Sequence, residues 1–392
     1  MMKTDDIYFE SIRPYIDSEV QEVVAHLVQQ EEVQGILHHF YGDISREQLD
    51  KMVERSTSIY NFKETFLKPV IEAILKDSTF SLTISGKSKL VKRGEEKQLF
   101  ISNHRDIILD SAFLNYLLYS SGLGFPRIAI GDNLLISEWI RVVVRLADAF
   151  IVKRSPSMRE MLIESKRLSN YILSSVAGGE ASVWLAQSEG RRKNSDDRTQ
   201  TAVLKMLTLS ADRGESEAEL LSKLHITPVA ITYEYDPCDY LKAKEMLAKK
   251  LDPSWKKAPL DDLINMQTGL EGQKGRVHFA IGETLYDLST ITQAAETKQE
   301  VLKLVAEEID RQIFTLYRFY PNNYVAFDAL HGGEQFAKMY SEKEKATFEK
   351  YLAQQIAKVE AAPEHHQFLK EKILEMYATP LKNHLITTKQ YR

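Results

Sequence analysis

A histidine followed closely by two carboxylates is the feature of this sequence best suited to chemistry. In the stretch 102–110, Ser-Asn-His-Arg-Asp-Ile-Ile-Leu-Asp, His104 precedes Asp106 and Asp110. A neutral imidazole held by a carboxylate can take a proton from a hydroxyl group and so make that hydroxyl a nucleophile. The stretch therefore predicts a general base at His104. Taken alone, the stretch leaves open a structural role, in which Asn103 and His104 cap a helix or form hydrogen bonds within the core.

A first basic block lies at the end of an apolar run. The sequence 149–154 reads Ala-Phe-Ile-Val-Lys-Arg, so Lys153 and Arg154 stand where a buried strand would end. In open parallel sheets, ligands bind at the carboxyl ends of strands. The block therefore predicts an anion site, and the alternative is a solvated basic turn before residues 155–156.

A second basic block combines a glycine with two arginines. Glu189, Gly190, Arg191 and Arg192 follow another strand-like run. Glycine lets the backbone turn sharply, arginine offers forked donors for phosphate oxygens, and the glutamate can hold one arginine in place. Residues 141–205 contain twelve Lys or Arg against seven Asp or Glu, a local charge of +5 in a chain whose net charge is −5. We therefore expect a phosphate-bearing ligand or an anionic membrane at this region.

The composition argues against several classes of protein. The chain has 392 residues, of which 43% are hydrophobic and 27% charged, and its net charge of −5 argues against bulk nucleic-acid binding. A single cysteine, Cys238, allows neither an internal disulfide nor a cysteine-based metal cluster, so we expect a cytoplasmic protein. The first residues lack the apolar stretch of a signal peptide, and no run of about 18 apolar residues occurs, so we expect no membrane span.

Short β-rich runs alternate with helical runs through the middle of the chain, as they do in α/β folds. Strands are predicted at 80–85, 99–102, 127–130, 149–152, 181–185, 225–233 and 276–281. We predict an α/β fold with a central, mostly parallel sheet, crossover helices and helical additions at both ends. The predicted division is an N-terminal helical region at 1–80, an α/β domain at 81–290 and a C-terminal helical region at 291–392.

In this order the blocks resemble the glycerolipid acyltransferase superfamily, most closely its glycerol-3-phosphate acyltransferase branch. The resemblance covers roughly 80–290. It rests on Asn103-His104 with Asp110, Phe150-Ile151-Val152-Lys153-Arg154, Glu189-Gly190-Arg191-Arg192 and Ile226-Thr227-Pro228-Val229. The stretches 231–235 and 275–283 are also similar to the glycerol-3-phosphate branch. Each block is unspecific alone, whereas four in this order with plausible spacing are fairly specific to the family.

One spacing departs from the family pattern. The family has four residues between the histidine and the aspartate, whereas five separate His104 from Asp110. On an ideal helix one extra residue turns the carboxylate by about 100°, so the pair is preserved only if a loop or bulge at 106–108 absorbs the insertion. Otherwise Asp106 takes the orienting role. We favour Asp110, because the apolar run after it fits the family's helix in that register. A second departure, Ser188 in place of the usual proline, removes no chemical group.

The resemblance implies a transferase of lipid biosynthesis and phospholipid metabolism, that is, a glycerol-3-phosphate or lysophospholipid O-acyltransferase. His104 would act as general base on the acceptor hydroxyl and Asp110 would orient it, while the hydroxyl attacks a fatty acyl thioester on coenzyme A or acyl carrier protein. The residues expected to bind the phosphate of a glycerol-type acceptor are Lys153, Arg154, Arg191 and Arg192, and Glu189 and Gly190 complete the expected substrate-binding set.

The resemblance implies no cofactor beyond the acyl-CoA or acyl-ACP co-substrate, and we expect no metal and no nucleic-acid partner. We expect reversible, peripheral binding to an anionic membrane surface, on the inner face of the membrane, through the basic region. The apolar stripe Phe62, Phe66, Val70 and Ile74 is a second candidate membrane contact, although packing against the sheet is the more common fate of such a stripe. The alternative function is a catalytically inactive lipid-binding or lipid-transfer protein on the same fold, should the longer spacing spoil the dyad.

Overall fold

A seven-stranded sheet forms the centre of the molecule, in the spatial order β1-β7-β6-β2-β5-β3-β4. The computed structural model describes residues 8–91, 96–154, 157–212, 214–258 and 260–390. The strands are β1 (Thr79–Ser85), β2 (Leu99–Ser102), β3 (Arg127–Gly131), β4 (Ala149–Val152), β5 (Val183–Ala186), β6 (Ile226–Tyr233) and β7 (Gly275–Ile281). Each matches a strand predicted from the sequence to within two residues at either end.

Five neighbouring strands, β6, β2, β5, β3 and β4, run parallel to one another. Strand β7 runs antiparallel to β6, and β1 pairs in parallel with β7, so the sheet is mostly parallel. β2 and β6 are buried along their whole lengths, which is why their sequences are nearly continuous apolar runs. The predicted α/β class is confirmed.

Helices and one π-helical turn precede the sheet. They are α1 (Asp17–Leu27), α2 (Glu31–Tyr41), α3 (Arg46–Arg55), α4 (Ile59–Phe62), the π turn (Lys63–Leu67) and α5 (Lys68–Ser78). Phe62, Phe66 and Ile74 are buried, with 2%, 6% and 7% exposure. The expectation that this stripe contacts a membrane is therefore wrong. The stripe faces inward because α1 covers its phenylalanines, which share a core with Val24 and Leu27.

Eight α-helices of the described residues lie between the strands in the sequence, and several of them pack on the two faces of the sheet. They are α6 (Lys87–Val91), α7 (Leu109–Tyr119), α8 (Glu138–Leu146), α9 (Met158–Ala177), α10 (Thr201–Leu207), α11 (Glu217–Lys223), α12 (Asp239–Leu251) and α13 (Asp261–Glu271). Leu99 and Ile101 of β2 belong to a core that α9 and α10 share, whereas Phe100 belongs to a core with Phe113 of α7. Successive side chains of a strand point to opposite faces, so both faces of the sheet are covered.

The chain ends in a second group of helices. They are α14 (Ser289–Thr292), α15 (Lys298–Leu316), α16 (Pro321–His331), α17 (Glu342–Ala357) and α18 (His366–Thr387). Helix α15 packs on the sheet, while α16, α17 and α18 form a separate core to which Ala243 and Leu247 of α12 also contribute. The three-part domain division stays a prediction. Among the described helices, none is long and apolar enough to cross a bilayer.

The parallel strands bring the chemical blocks to one edge of the sheet. Ser102 at the end of β2 pairs with Ala186 at the end of β5. Because these strands and β4 are parallel, the loops after them leave the sheet on the same side. Those loops carry His104, Lys153 and Arg191, so residues far apart in sequence share one region of the molecule.

Candidate active site

His104 and Asp110 are joined by a hydrogen bond. His104 Nδ1 lies 2.7 Å from Asp110 Oδ2, and the Asp110 side chain is fully buried whereas that of His104 keeps 13% exposure. An ionised carboxylate only accepts hydrogen bonds, so in the neutral imidazole Nδ1 carries the proton and Nε2 keeps its lone pair. His104 therefore has the tautomer that a general base requires.

A loop accommodates the longer spacing. Helix α7 begins at Leu109, so His104 lies on the loop before it and the rotation expected on a continuous helix does not arise. The loop closes around Asp110, whose Oδ2 also accepts hydrogen bonds from the backbone N–H groups of Arg105 (2.6 Å) and Asp106 (3.0 Å). The apolar pattern of residues 107–119 predicts a helix that starts at position 107. The helix starts two residues later, and the added loop residues absorb the insertion.

Asp106 is engaged by the start of the helix. Its Oδ1 accepts hydrogen bonds from the backbone N–H groups of Ile108 (2.9 Å) and Leu109 (2.8 Å). These donors have no partner within the helix itself, so the carboxylate caps them. Burial raises the pKa of Asp106, and the charge of Asp110 raises it further. The imidazole is thus held by Asp110, while Asp106 fixes the loop.

His104 lines a cavity of about 1460 Å³. Its wall is largely apolar, and much of it comes from the N-terminal helices and the π turn, through Leu27, Val33, Leu37, Phe62, Phe66 and Ile71. Typical small-molecule pockets measure roughly 300–1,000 Å³. The space beside His104 is therefore large enough and apolar enough for a long hydrocarbon chain.

Arg191 offers a free donor at the wall of this cavity. Its Nη2 donates to Asn265 Oδ1 at 2.9 Å. Its Nη1 is buried and has no hydrogen-bond partner among the described residues, and the residue lines the cavity together with Lys193 and Lys242. A buried cationic donor without a partner is costly. An anionic ligand that enters the cavity would satisfy it.

The other predicted binding residues lie around the same opening. Lys153 and Arg154 line the cavity; the Lys153 Nζ donates to Ser11 Oγ at 3.0 Å, and Arg154 Nη1 lies 3.2 Å from Glu189 Oε1. Gly190 has a φ of +76°. Glycine adopts this backbone conformation without strain, so Gly190 makes the turn that leads the loop into its arginines.

Arg192 is placed differently from its neighbour. Arg191 and Lys193 belong to the cavity wall, whereas Arg192 does not, and its Nε is buried without a partner in the described part of the chain. Of the two arginines, Arg191 is the one that reaches the cavity. The alternative of a basic turn before residues 155–156 concerns positions outside the described residues.

A layer of buried charges supports the loop from behind, and sequence reasoning missed it. Arg105 Nη1 lies 3.3 Å from Asp197 Oδ1, and the hydroxyl of Tyr317 on α15 also donates to Asp197. Lys242 of α12 pairs with Asp236. Arg105 and Asp197 are 92 residues apart, so no local pattern marks the pair.

Tyr233 lies next to the dyad and was also missed. Burial raises the pKa of Tyr233 well above its ordinary value, and the charges of Asp110 and Asp106 raise it further, so its hydroxyl stays protonated. One signal was present in the sequence. Tyr233 ends β6, at the same edge of the sheet as His104, where a strand's last residue reaches the site.

Helix α13 packs directly on the loop. A Cβ atom added at Gly269 would lie 2.1 Å from Asp106 Oδ2, closer than real atoms approach. Glycine fits there without displacing the Asp106 carboxylate, and the close approach brings Asn265 to Arg191. The sequence showed Gly269 inside a helical stretch without indicating the contact.

The arrangement can activate a hydroxyl group beside an apolar cavity. The lone pair of His104 Nε2 can accept the proton, the cations at the wall can hold an anionic group, and the apolar wall can hold a chain. Across the described ranges, no group of three or more His, Cys, Asp or Glu side chains is arranged to bind a metal ion.

Comparison with curated proteins finds no significant match. Among solved structures, the chain aligns with the 1-acyl-sn-glycerophosphate (LPA) acyltransferase PlsC from Thermotoga maritima. The alignment has 12% sequence identity and a TM-score of 0.37, and it covers 78% of this chain and 96% of that chain.

Comparison with protein families matches residues 81–232 to the acyltransferase family. The matched segment begins in β1 and ends in β6. It contains the His104–Asp110 pair and the two basic blocks, at 153–154 and 189–192. Residues 81–232, which hold these motifs, are therefore similar to the acyltransferase family.

Proposed function

We propose that this acyltransferase moves a fatty acyl group from a thioester, on coenzyme A or acyl carrier protein, to the hydroxyl of a phosphorylated glycerol-type acceptor. The observation that carries the proposal is the 2.7 Å hydrogen bond between His104 Nδ1 and Asp110 Oδ2, in a histidine that lines a large apolar cavity. An inactive lipid-binding protein was the alternative if the spacing separated the two residues. Their contact favours the enzyme.

In the proposed reaction His104 Nε2 takes the proton of the acceptor hydroxyl as its oxygen attacks the thioester carbonyl carbon. A carbon–oxygen bond forms, the carbon–sulfur bond breaks, and the departing thiolate recovers the proton from the imidazolium. The products are an ester and a free thiol. Asp110 holds the ring in the correct tautomer and stabilises its cationic form.

The acceptor's phosphate would bind at the cationic wall of the cavity. Arg191 supplies the unpartnered Nη1, while Lys153 and Arg154 stand at the end of β4. Charge-assisted hydrogen bonds to phosphate are about twice as strong as neutral ones. The acyl chain would lie along the apolar wall that the N-terminal helices form.

An acyl-transfer assay with purified protein tests the proposal. Acyl-CoA and acyl-ACP are offered separately against glycerol 3-phosphate, dihydroxyacetone phosphate, a lysophospholipid and an amino-acid-based lipid acceptor. We expect ester formation with at least one phosphorylated acceptor, and a fall in kcat of roughly 10²–10⁴-fold in His104→Ala. Normal transfer by a folded His104→Ala protein would refute the mechanism.

The proposed enzyme would work at an anionic membrane surface, to which it binds reversibly. Its acylated product is poorly soluble in water, and residues 141–205 carry a local charge of +5. Basic patches on a protein attract anionic lipid, and salt screens that attraction.

A further inference from the structure

Exposed apolar side chains are concentrated at the starts of two helices. The described residues expose sixteen large hydrophobic side chains, and seven of these lie on the first turns of α9 or at the start of α13. These seven residues, here termed the rim, are Met158, Met161, Leu162, Ile163, Leu260, Leu263 and Ile264. Single exposed apolar residues are ordinary, but a concentration of them marks a binding surface.

The rim has the same spacing on both helices. On α9, Met161 and Leu162 follow Met158 by three and four residues. At the start of α13, Leu263 and Ile264 follow Leu260 by the same intervals. Residues three and four apart share one face of a helix. Each helix therefore presents a compact apolar face at its first turn.

The two parts of the rim flank one cavity. Met161 of α9 and Leu263 of α13 are exposed to solvent and also line the cavity that contains His104. The same side chains thus belong to the outer surface and to the inner wall. On each helix the exposed apolar surface is therefore continuous with the cavity wall.

Positive charge surrounds the part of the rim on α9. Residues 153–167 contain five Lys or Arg and two Glu, a local charge of +3 in a chain of net charge −5. Arg159, next to Met158, and Lys166, four residues after Leu162, are both exposed. Apolar side chains with cations beside them complement a bilayer that carries anionic headgroups.

We infer that the rim is the surface by which the enzyme contacts an anionic lipid bilayer. The inference rests on the proposed function, since an acylated product leaves the cavity more readily into lipid than into water. The rim's side chains enter the interface and the cations of α9 lie among the headgroups. A second copy of the chain is a poorer occupant, because a two-fold contact would bring two positive patches together.

Vesicle co-sedimentation of the full chain tests this inference. Two double variants remove rim residues that do not line the cavity, Met158→Gln with Leu162→Gln, and Leu260→Gln with Ile264→Gln. The matched control is Phe80→Gln with Met339→Gln, because Phe80 and Met339 have 84% and 52% exposure, close to the 83% and 59% of Met158 and Leu162. The vesicles contain phosphatidylcholine with or without phosphatidylglycerol.

We expect wild-type and control proteins to bind phosphatidylglycerol vesicles more than phosphatidylcholine vesicles, and to release them as salt rises. Each rim variant should lower the bound-to-free ratio by roughly tenfold, since two large apolar side chains are lost from the interface. Arg159→Gln should weaken only the dependence on anionic lipid. Rim variants that sediment like the control would overturn the inference.

Two further measurements separate the possible failures. With a soluble short-chain acyl-CoA and no vesicles, the rim variants should keep wild-type transfer rates. If transfer is absent from all proteins while the rim controls sedimentation, the proposed reaction fails and the membrane surface stands. A dimer in gel filtration that both rim variants dissociate would assign the rim to a second copy instead.

Discussion

Asp110 is fixed by three donors before any substrate arrives. Its Oδ2 accepts hydrogen bonds from His104 Nδ1 and from the backbone N–H groups of Arg105 and Asp106, at 2.7, 2.6 and 3.0 Å. The two backbone bonds do not depend on the imidazole, so the carboxylate keeps its position when the ring gains or loses a proton. In the proposed reaction, such preorganisation removes the cost of reorienting the carboxylate.

At this scale the two aspartates should respond differently to the same change. Asp110→Asn puts a neutral amide where the imidazole needs a negatively charged hydrogen-bond acceptor. We therefore expect kcat to fall roughly 10²–10⁴-fold. Asp106→Asn keeps the oxygen that caps α7, so kcat should change by only a few fold. Steady-state kinetics of both variants measure the ranking, and the reverse order would assign the orienting role to Asp106.

The two arginines of the second basic block give a matched pair. Arg191→Ala removes the cavity donor and should raise KM for a phosphorylated acceptor by roughly 10–100-fold, since hydrogen bonds to charged groups contribute about 1.5–3 kcal/mol. Arg192→Ala, which lies outside the cavity wall, should have a smaller effect. Acceptor and donor are varied separately; a change confined to the acyl donor would place Arg191 at the thioester carrier instead.

Among the secondary-structure elements, α13 packs on the loop that carries His104. Its Gly269 touches Asp106, and its Asn265 holds Arg191. One helix therefore contacts both the loop that carries His104 and Arg191, the residue proposed to bind the acceptor's phosphate. A shift of α13 would disturb the two together.

Gly269→Ala should push α13 away from the loop. Its methyl group would lie 2.1 Å from Asp106 Oδ2, and overpacking of this kind costs about 1–3 kcal/mol. We expect a lower unfolding free energy in urea and a reduced kcat. Gly35→Ala in α2 is the control, because nothing lies within 4 Å of the added Cβ and alanine is the better helix former by about 0.5–1 kcal/mol. Equal stability changes in the two variants would contradict the contact.

The strands were predictable from the sequence and the loop geometry was not. Buried strands such as β2 and β6 are short apolar runs, and their signal is local. The sequence places the start of α7 two residues early, because Ile107 and Ile108 continue its apolar pattern. In the structure the carboxylate of Asp106 caps the helix, which therefore begins at Leu109. The reversed direction of β7 depends on packing, which the pattern of one strand does not contain.

For the molecule as a whole, the helices that follow the sheet are bound to the site through buried polar groups. Asp239 at the start of α12 accepts hydrogen bonds from Tyr351 of α17 (2.7 Å) and Tyr377 of α18 (2.8 Å), and from Gln355. The site was therefore only partly predictable. Its motifs lie in local sequence, whereas its support comes from residues more than a hundred positions away.

Asp239 should make stability depend on pH. Burial, aided by the charge of Asp236, raises the pKa of Asp239 from 3.8 to about 7. A carboxyl with a raised folded pKa stabilises the fold below its unfolded pKa, and this contribution is lost as pH rises through about 7. Asp239→Asn mimics the protonated acid. Relative to wild type, it should therefore gain stability between about pH 4 and pH 7, by up to about 4 kcal/mol at about 1.36 kcal/mol per pKa unit.

Urea unfolding at a series of pH values measures this difference. The exposed Asp43→Asn variant is the control and should follow the wild-type profile. Parallel profiles for wild type and Asp239→Asn would show that Asp239 does not titrate in this range.

The far wall of the cavity belongs to a different stretch of chain from His104. Leu27, Leu37, Phe62 and Phe66 precede residue 81, where the acyltransferase family match begins, whereas His104 and Asp110 lie inside it. On the proposed function, substitutions in the N-terminal helices would alter the room for an acyl chain and leave the reacting groups untouched. Substrate preference and chemistry would then depend on separate segments of the chain. Mutations could therefore change the preferred acyl chain during evolution while the reacting groups stay intact.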